Sequence, residues 1–268
     1  MPDSQDKDSM KNILVVAVSL CLVCAIVVSG AAVLLKPQRL ANKELDRNKN
    51  ILIAAGLFEE NVTPVSEIAT LFKEFEIRVV DLQEQRFLTE SEVLSAGIDV
   101  VTYDQRKASK DPDTSLVLTT EEDIASINRR ARYSVVYLLV KDGKLDRIVL
   151  PVHGYGLWST LYGFIALQGD GNTVSGITFY EQQETAGLGG EVDNPAWKAL
   201  WPGKTIYDED HQVALKVIKG TVNPNSPNAR HQVDGLSGAT LTSRGVQNLV
   251  AYWLGDSAFG PILKNLEG

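Results

Sequence analysis

From Ile13 to Leu35 the chain runs for 23 residues without a charge, and only Ser19, Ser29 and Gly30 among them are not hydrophobic. In helical form such a run spans roughly 34 Å, enough for a bilayer core of about 30 Å. A cleavable signal peptide has a basic start and a shorter apolar core. Here Asp3, Asp6 and Asp8 precede the run along with Lys7 and Lys11. The pattern therefore predicts a retained single-span anchor. Without the run, about 40% of the remaining residues are hydrophobic, the level of an ordinary folded domain. A polytopic membrane protein is excluded, and the expected division is a tail at 1–12, a transmembrane helix at 13–35, a mixed connecting region at 36–132 and a folded domain at 133–268.

Both cysteines, Cys21 and Cys24, lie inside the apolar run. One turn apart in hydrocarbon and without further ligands, they read as small packing residues. The rest of the chain is cysteine-free, which excludes thiol chemistry and disulfides there. The net charge is −8, with no basic stripe to neutralise phosphates, so nucleic acid is excluded as a partner. Just after the run stand Lys36, Arg39, Lys43, Arg47 and Lys49. The positive-inside rule assigns such a flank to the cytoplasm, although large domains cross largely regardless of charge.

Beyond the anchor the helix is expected to continue towards Gly56. Thr63-Pro64, followed by Val65, Ile68, Leu71, Phe72 and Phe75, predicts a capped helix over that stretch. Tyr133–Val140 and Leu145–Val152 are β-rich runs joined by Lys141-Asp142-Gly143-Lys144, a hairpin signal. Further strands are expected at 164–167, 174–180 and 213–218, and a short helix capped by Asn194 at 195–201. Val246, Leu249, Val250, Trp253 and Leu254 mark one face of a C-terminal helix. No βαβ rhythm is present, so the expected fold class is α+β with a mostly antiparallel sheet.

Three loops combine glycines with hydroxyl residues: Gly154–Ser159, Glu184–Gly190 and Asp234–Thr240. Glycine permits close backbone approach to a ligand, and successive free N–H groups hold anions. Neither a Walker loop nor a dinucleotide fingerprint is present. Thr240 falls near a helix N-terminus, which favours phosphate, yet Thr240 or Thr242 capping that helix is an equally available reading. For Asp234 the residue type also allows a turn in which its carboxylate accepts from the backbone two residues on. His153, His211 and His231 are scattered, without ligand or nucleophile–base spacing, and read as surface or packing residues.

Asp234-Gly-Leu-Ser-Gly-Ala-Thr240 resembles the D-x-x-(S/T)-G-A-T flavinylation motif, whose last threonine takes FMN through a phosphoester bond made from FAD by a flavin transferase. Together with the Val-Val-Ser-Gly-Ala-Ala exit of the apolar run, the Asn-Ile-Leu-Ile-Ala-Ala-Gly-Leu stretch and the other two loops, it makes nearly the whole chain similar to the C subunits of the sodium-translocating NADH:quinone oxidoreductases. The resemblance implies a covalent FMN on Thr240, with Ser237, Gly238 and Ala239 shaping the phosphate side. Leu157, Trp158, Ser159, Thr185, Gly187 and Leu188 would contact the flavin, and Asp234 would serve recognition by the transferase. It also implies a bacterial inner-membrane location with the domain on the periplasmic side, against the flanking charges. Implied partners are the other subunits of a complex that oxidises NADH, reduces ubiquinone and exports Na⁺, the flavin transferase, and membrane lipid. Ser29–Ala32 offers a small-residue face for a partner helix. Two alternatives remain at this point: the related subunit of an Rnf-type ferredoxin:NAD oxidoreductase, and an anchored, non-redox binding or assembly module.

Overall fold

The computed structural model describes residues 10–266, so the predicted tail lies outside the described residues except for its last three positions, which are helical. The chain forms two compact units that divide between Asp46 and Arg47. Helix α1, Met10–Ala54, forms the first unit and ends inside the second. Its apolar part is long and hydrophobic enough to cross a membrane, with a mean hydropathy of 2.9 over 18 residues. Ser19 hides its hydroxyl by donating to the Val15 carbonyl at 2.6 Å, as a polar group in hydrocarbon must. Pro37 lies within the helix just past the apolar run.

The second unit continues with α2 (Ile68–Phe72), β1 (Phe75–Asp81), β2 (Arg86–Phe87), α3 (Glu90–Ser95), α4 (Gln105–Ala108), β3 (Ser115–Val117) and β4 (Arg129–Ala131). Then come β5 (Tyr133–Lys141), β6 (Lys144–Tyr155), β7 (Thr160–Gln168) and β8 (Val174–Glu181). The chain closes with α5 (Pro195–Lys198), β9 (Lys216–Val217), β10 (Gln232–Val233), α6 (Thr240–Trp253) and α7 (Gly260–Lys264). A six-stranded antiparallel sheet, in the order β2-β1-β5-β6-β7-β8, is the centre of the unit.

Both faces of that sheet are covered, which explains why β5 reads as a nearly unbroken apolar run rather than an alternation. Val136, Leu138, Ile148 and Leu150 face a core with Val246, Leu249, Val250 and Trp253 of α6. Tyr137, Leu139, Val149 and Phe164 face a core with Ile51 and Leu52 from the end of α1 and Ile68 from α2. The β5–β6 hairpin turns at Asp142 and Gly143, with φ of 52° and 74°, the doubly left-handed geometry that Asp-Gly favours.

Three local expectations are corrected. The helix read from Val65 to Phe75 is only α2 preceded by a 3₁₀ turn at Val65–Glu67, and Phe75 already begins β1. Thr63 does not cap it; its hydroxyl instead accepts from the Glu59 N–H at 3.2 Å. The strand read over 213–218 shrinks to β9, which pairs in parallel with β10, while Val213 makes an isolated bridge to Tyr207. Strand β1, drawn from the stretch read as a connector, pairs with β5 over all seven of its residues.

Candidate flavin site

The three glycine-rich loops converge at one end of the sheet. Gly156–Ser159 is the turn between β6 and β7, closed by the Gly156 N–H donating to the Ser159 carbonyl at 2.8 Å. The second loop follows β8. The third leads from β10 into α6.

Glu184, 9% exposed, joins the first two loops to the helix. One carboxylate oxygen accepts from three successive backbone N–H groups, those of Leu157 (3.1 Å), Trp158 (2.9 Å) and Ser159 (3.1 Å). The other accepts from the Thr242 hydroxyl at 2.8 Å. Burial pushes this carboxyl up, but the bonds from Trp158, Thr242, Leu157 and Ser159 outweigh it and hold the group below the usual carboxylate range. The Ser159 hydroxyl accepts from the Gln183 N–H at 2.8 Å, and the Glu184 N–H donates to the Gln182 side chain at 2.7 Å. Motif and spacing do not single out Glu184 as a site residue. Its one signal in the sequence is a lone carboxylate heading a glycine-rich loop with no basic residue nearby.

Loops two and three meet where Gly238, at φ +72°, faces Leu188: a Cβ on Gly238 would stand 2.9 Å from the Leu188 side chain. Gly187 also has a left-handed φ, +74°. The Thr185 carbonyl accepts from the N–H groups of Leu188 and Gly190, which folds the second loop on itself.

Helix α6 opens without a side-chain cap. Its N-cap is buried Ala239, and Thr240 is exposed at the first helical position. Neither Thr240 nor Thr242 caps it, which corrects that reading; Thr242 is committed to Glu184. The N–H groups of the first turn have no intrahelical acceptor, so the exposed end carries partial positive charge beside the Thr240 hydroxyl. Ser243 anchors the approach, its hydroxyl accepting from the Leu236 N–H at 2.9 Å. Ser237 and Gly238 are exposed at the tip.

Asp234 does not make the local turn that its residue type allows. Its carboxylate accepts from the Val222 N–H at 2.8 Å, and its carbonyl accepts from the Trp197 indole at 2.8 Å. This residue fastens the third loop to α5 and to the 217–222 segment. His153 and His231 are packing residues and His211 is a surface one. His153 stacks on Tyr162 and lies 4.8 Å from the Trp253 ring centre. His231 is held by Thr205 and Arg230. His211 stacks on Tyr207.

Large apolar side chains stand open around the end of α6: Trp158 is 67% exposed, Leu241 51% and Leu188 43%. An uncapped helix start, an exposed hydroxyl, a glycine tip and uncovered apolar surface together suit a ligand with an anionic phosphate and a broad apolar ring system. FMN fits that description.

The comparisons with known proteins agree. A family model described as an FMN-binding domain matches residues 156–255, which include the second and third loops and most of the first. The C subunit of the Na⁺-translocating NADH-quinone reductase of Pseudomonas aeruginosa is 53% identical over 263 residues, covering 98% of both chains. The subunit of the same name from Vibrio alginolyticus is 50% identical over 265 residues, again covering 98% of each. The crystal structure of Shewanella oneidensis NqrC superposes with a TM-score of 0.74 at 33% identity, covering 85% of this chain and 99% of that one. That of the corresponding C subunit from Parabacteroides distasonis gives 0.61 at 25% identity, covering 85% and 96%. At such identity along almost the entire length, the chain belongs to the family of C subunits of the Na⁺-translocating NADH-quinone reductases, and the three loops lie in its FMN-binding domain.

Proposed function

We propose that this chain is the membrane-anchored subunit that carries FMN, attached through a phosphoester to Thr240, and relays electrons within a complex that oxidises NADH, reduces ubiquinone and exports Na⁺. The observation that carries the reading is the Thr240 hydroxyl, exposed at the uncapped start of α6 and ending the seven-residue motif. The names of the relatives favour this over the Rnf-type and non-redox alternatives.

A flavin supplies one- and two-electron chemistry; the protein supplies position and tuning. The first-turn N–H groups of α6 stabilise the phosphate, and Arg244, one turn after Thr240 and exposed, adds a positive charge on the same helical face. Trp158 and Leu188 give the ring system apolar walls that exclude water. Leu157, Ser159, Thr185 and Gly187 complete the rim, while Ser237, Gly238 and Ala239 form the tip under the phosphate. Asp234 holds the third loop in the shape that the transferase reads.

Attachment needs a flavin transferase, because a threonine hydroxyl is a weak nucleophile. The Thr240 oxygen forms a bond to the FMN phosphorus of FAD, the pyrophosphate bond breaks, AMP leaves with its electron pair, and the hydroxyl proton passes to a base of the transferase. Helix α1 anchors the domain in lipid of the bacterial inner membrane and packs its Ser29–Ala32 face on partner subunits. The domain lies on the periplasmic side; at over 200 residues it is poorly governed by the basic flank.

The test is ultraviolet fluorescence of the denatured band, from cells that contain the transferase. The wild-type band glows and Thr240→Ala is dark. A dark wild-type band overturns the reading, and labelling by FAD alone overturns the need for the transferase.

A further inference from the structure

Glu184 contacts both other parts of the site, and its carboxylate accounts for features that would otherwise be assigned to the cofactor. A Cβ on Gly156 would stand 2.7 Å from one of its oxygens. A Cβ on Gly189 would stand 2.7 Å from the other and 2.5 Å from the Thr242 hydroxyl. Two glycines of two different loops are therefore required by this side chain rather than by close approach of a ligand. Helix α6 meets the first loop with similar tightness: a Cβ on Gly245 would stand 2.5 Å from the Tyr155 carbonyl.

The three N–H groups that Glu184 binds are successive, and such a run is itself an anion-binding concavity. With a carboxylate seated in it, the first loop has no amide cluster left for a phosphate. The start of α6 still presents open N–H groups, and they stand beside the Thr240 hydroxyl. Among the described residues no cation pairs with Glu184, so its negative charge is balanced only by donors from loop and helix.

From this geometry we infer that Glu184 is a positioning residue for the flavin site: its carboxylate fastens the 157–159 loop to the head of α6 and steers the phosphate away from that loop and onto Thr240. The inference rests on the flavin reading above, and it extends that reading to a residue that need not touch the cofactor. Glutamine at 184 keeps an oxygen for the three amides and an NH₂ for Thr242, so Glu184→Gln removes the charge while preserving the shape. Asp81→Asn, at a buried carboxylate at the end of β1, controls for general loss of stability.

Two measurements on the full-length chain in detergent test the inference. In protein from cells without the transferase, hydrogen exchange is followed in peptides covering 157–159 and 243–246, the first hydrogen-bonded amides of α6. Glu184→Ala speeds both together, whereas Asp81→Asn speeds neither. An unchanged 243–246 peptide in Glu184→Ala, or equal acceleration in Asp81→Asn, overturns the inference. In cells with the transferase, intact mass gives the labelled fraction over time. Glu184→Gln is labelled about tenfold more slowly, the equivalent of one charge-assisted hydrogen bond. Asp81→Asn is labelled like wild type, and the flavin on Glu184→Gln has a higher reduction potential, because a nearby negative charge is gone. Labelling of Glu184→Gln at the wild-type rate and with the wild-type potential overturns the steering role. Absence of flavin from wild-type Thr240 defeats the proposed function instead, and the exchange measurement still decides whether Glu184 ties loop to helix.

Discussion

The end of β1 and the three-loop site each contain a buried carboxylate that accepts from backbone amides, and they use it differently. Asp81, 1% exposed, accepts from Gln83 and Glu84, two and three residues on, and pairs with Arg132 at 2.8 Å. Burial raises its pKa, while the bonds from Arg132, Glu84 and Gln83 more than reverse this. Glu184 binds groups 25 to 27 residues earlier and 58 residues later, and no cation among the described residues offsets it. The first carboxylate closes a local turn and is neutralised by its partner. The second gathers distant segments and keeps its charge beside the site. A buried anion with distant neutral donors thus signals an arrangement built for binding, and one with local donors and a cation signals a fold element.

The sharpest way to break this contrast is Gly189→Ala. The added methyl would press on both Glu184 and Thr242, and relief requires the bond between them to open. Overpacking together with a lost charged hydrogen bond should cost about 4 kcal/mol. Thermal unfolding of the flavin-free chain measures it. A loss no greater than that of an ordinary loop substitution would show that the carboxylate clamp is not rigid.

Acid separates the carboxylates from a half-buried histidine. His153, under α6 between Tyr162 and Trp253, has its pKa pushed down to about 4, first by burial and then by the Arg106 cation. Arg106 lies over the Tyr162 ring and pairs with Glu181. The unfolded chain takes up a proton near pH 6.5 that the folded chain refuses until about pH 4. Stability contributed by neutral His153 is therefore complete above pH 6.5 and is lost as pH falls towards 4. At about 1.36 kcal/mol per unit of pH the loss reaches about 3 kcal/mol. His153→Phe should flatten melting midpoints between pH 6.5 and 4, leaving the further acid fall that comes as carboxylates the fold holds below their usual range, Asp81 and Glu184 among them, take up protons. An unchanged slope would place the acid sensitivity elsewhere.

Asp81→Asn comes next. It removes the charge facing Arg132, whose side chain is 40% exposed, so solvent takes up part of the lost pairing. A cost of about 2 kcal/mol follows. Flavin labelling should be unaffected, and a parallel fall in labelling would erase the distinction between the two carboxylates.

This contrast also marks what the amino-acid order reveals unaided. Asp142-Gly143 and the face of α6 were legible because their determinants are neighbours in sequence. So was the family, carried in part by the contiguous heptapeptide Asp234–Thr240. Val65–Phe75 misled because its helical spacing is cut short when Phe75 pairs with Leu139, 64 residues away. Asp234 misled likewise: its local turn loses to the Val222 amide, 12 residues back. Glu184 was invisible for the same reason, since its meaning lies wholly in bonds to loop and helix segments that spacing does not relate.

The smallest effect distinguishes two glycines of the second loop. Gly187 has φ +74°, and a Cβ there would meet nothing within 4 Å, unlike one at Gly189. Gly187→Ala should therefore cost only the left-handed backbone penalty, about 1 kcal/mol. Gly203, at φ +80° in the turn after α5 and equally open, provides a matched control. If the second loop lines the flavin as proposed, Gly187→Ala and Gly203→Ala should melt alike in the flavin-free chain, while only Gly187→Ala slows labelling or shifts the absorption bands of the attached flavin. Open space in the chain alone would then be space that the flavin fills. Identical labelling and spectra in the two variants would remove Gly187 from the flavin contacts and leave Leu188, against Gly238 of the third loop, as the flavin-side edge of the second.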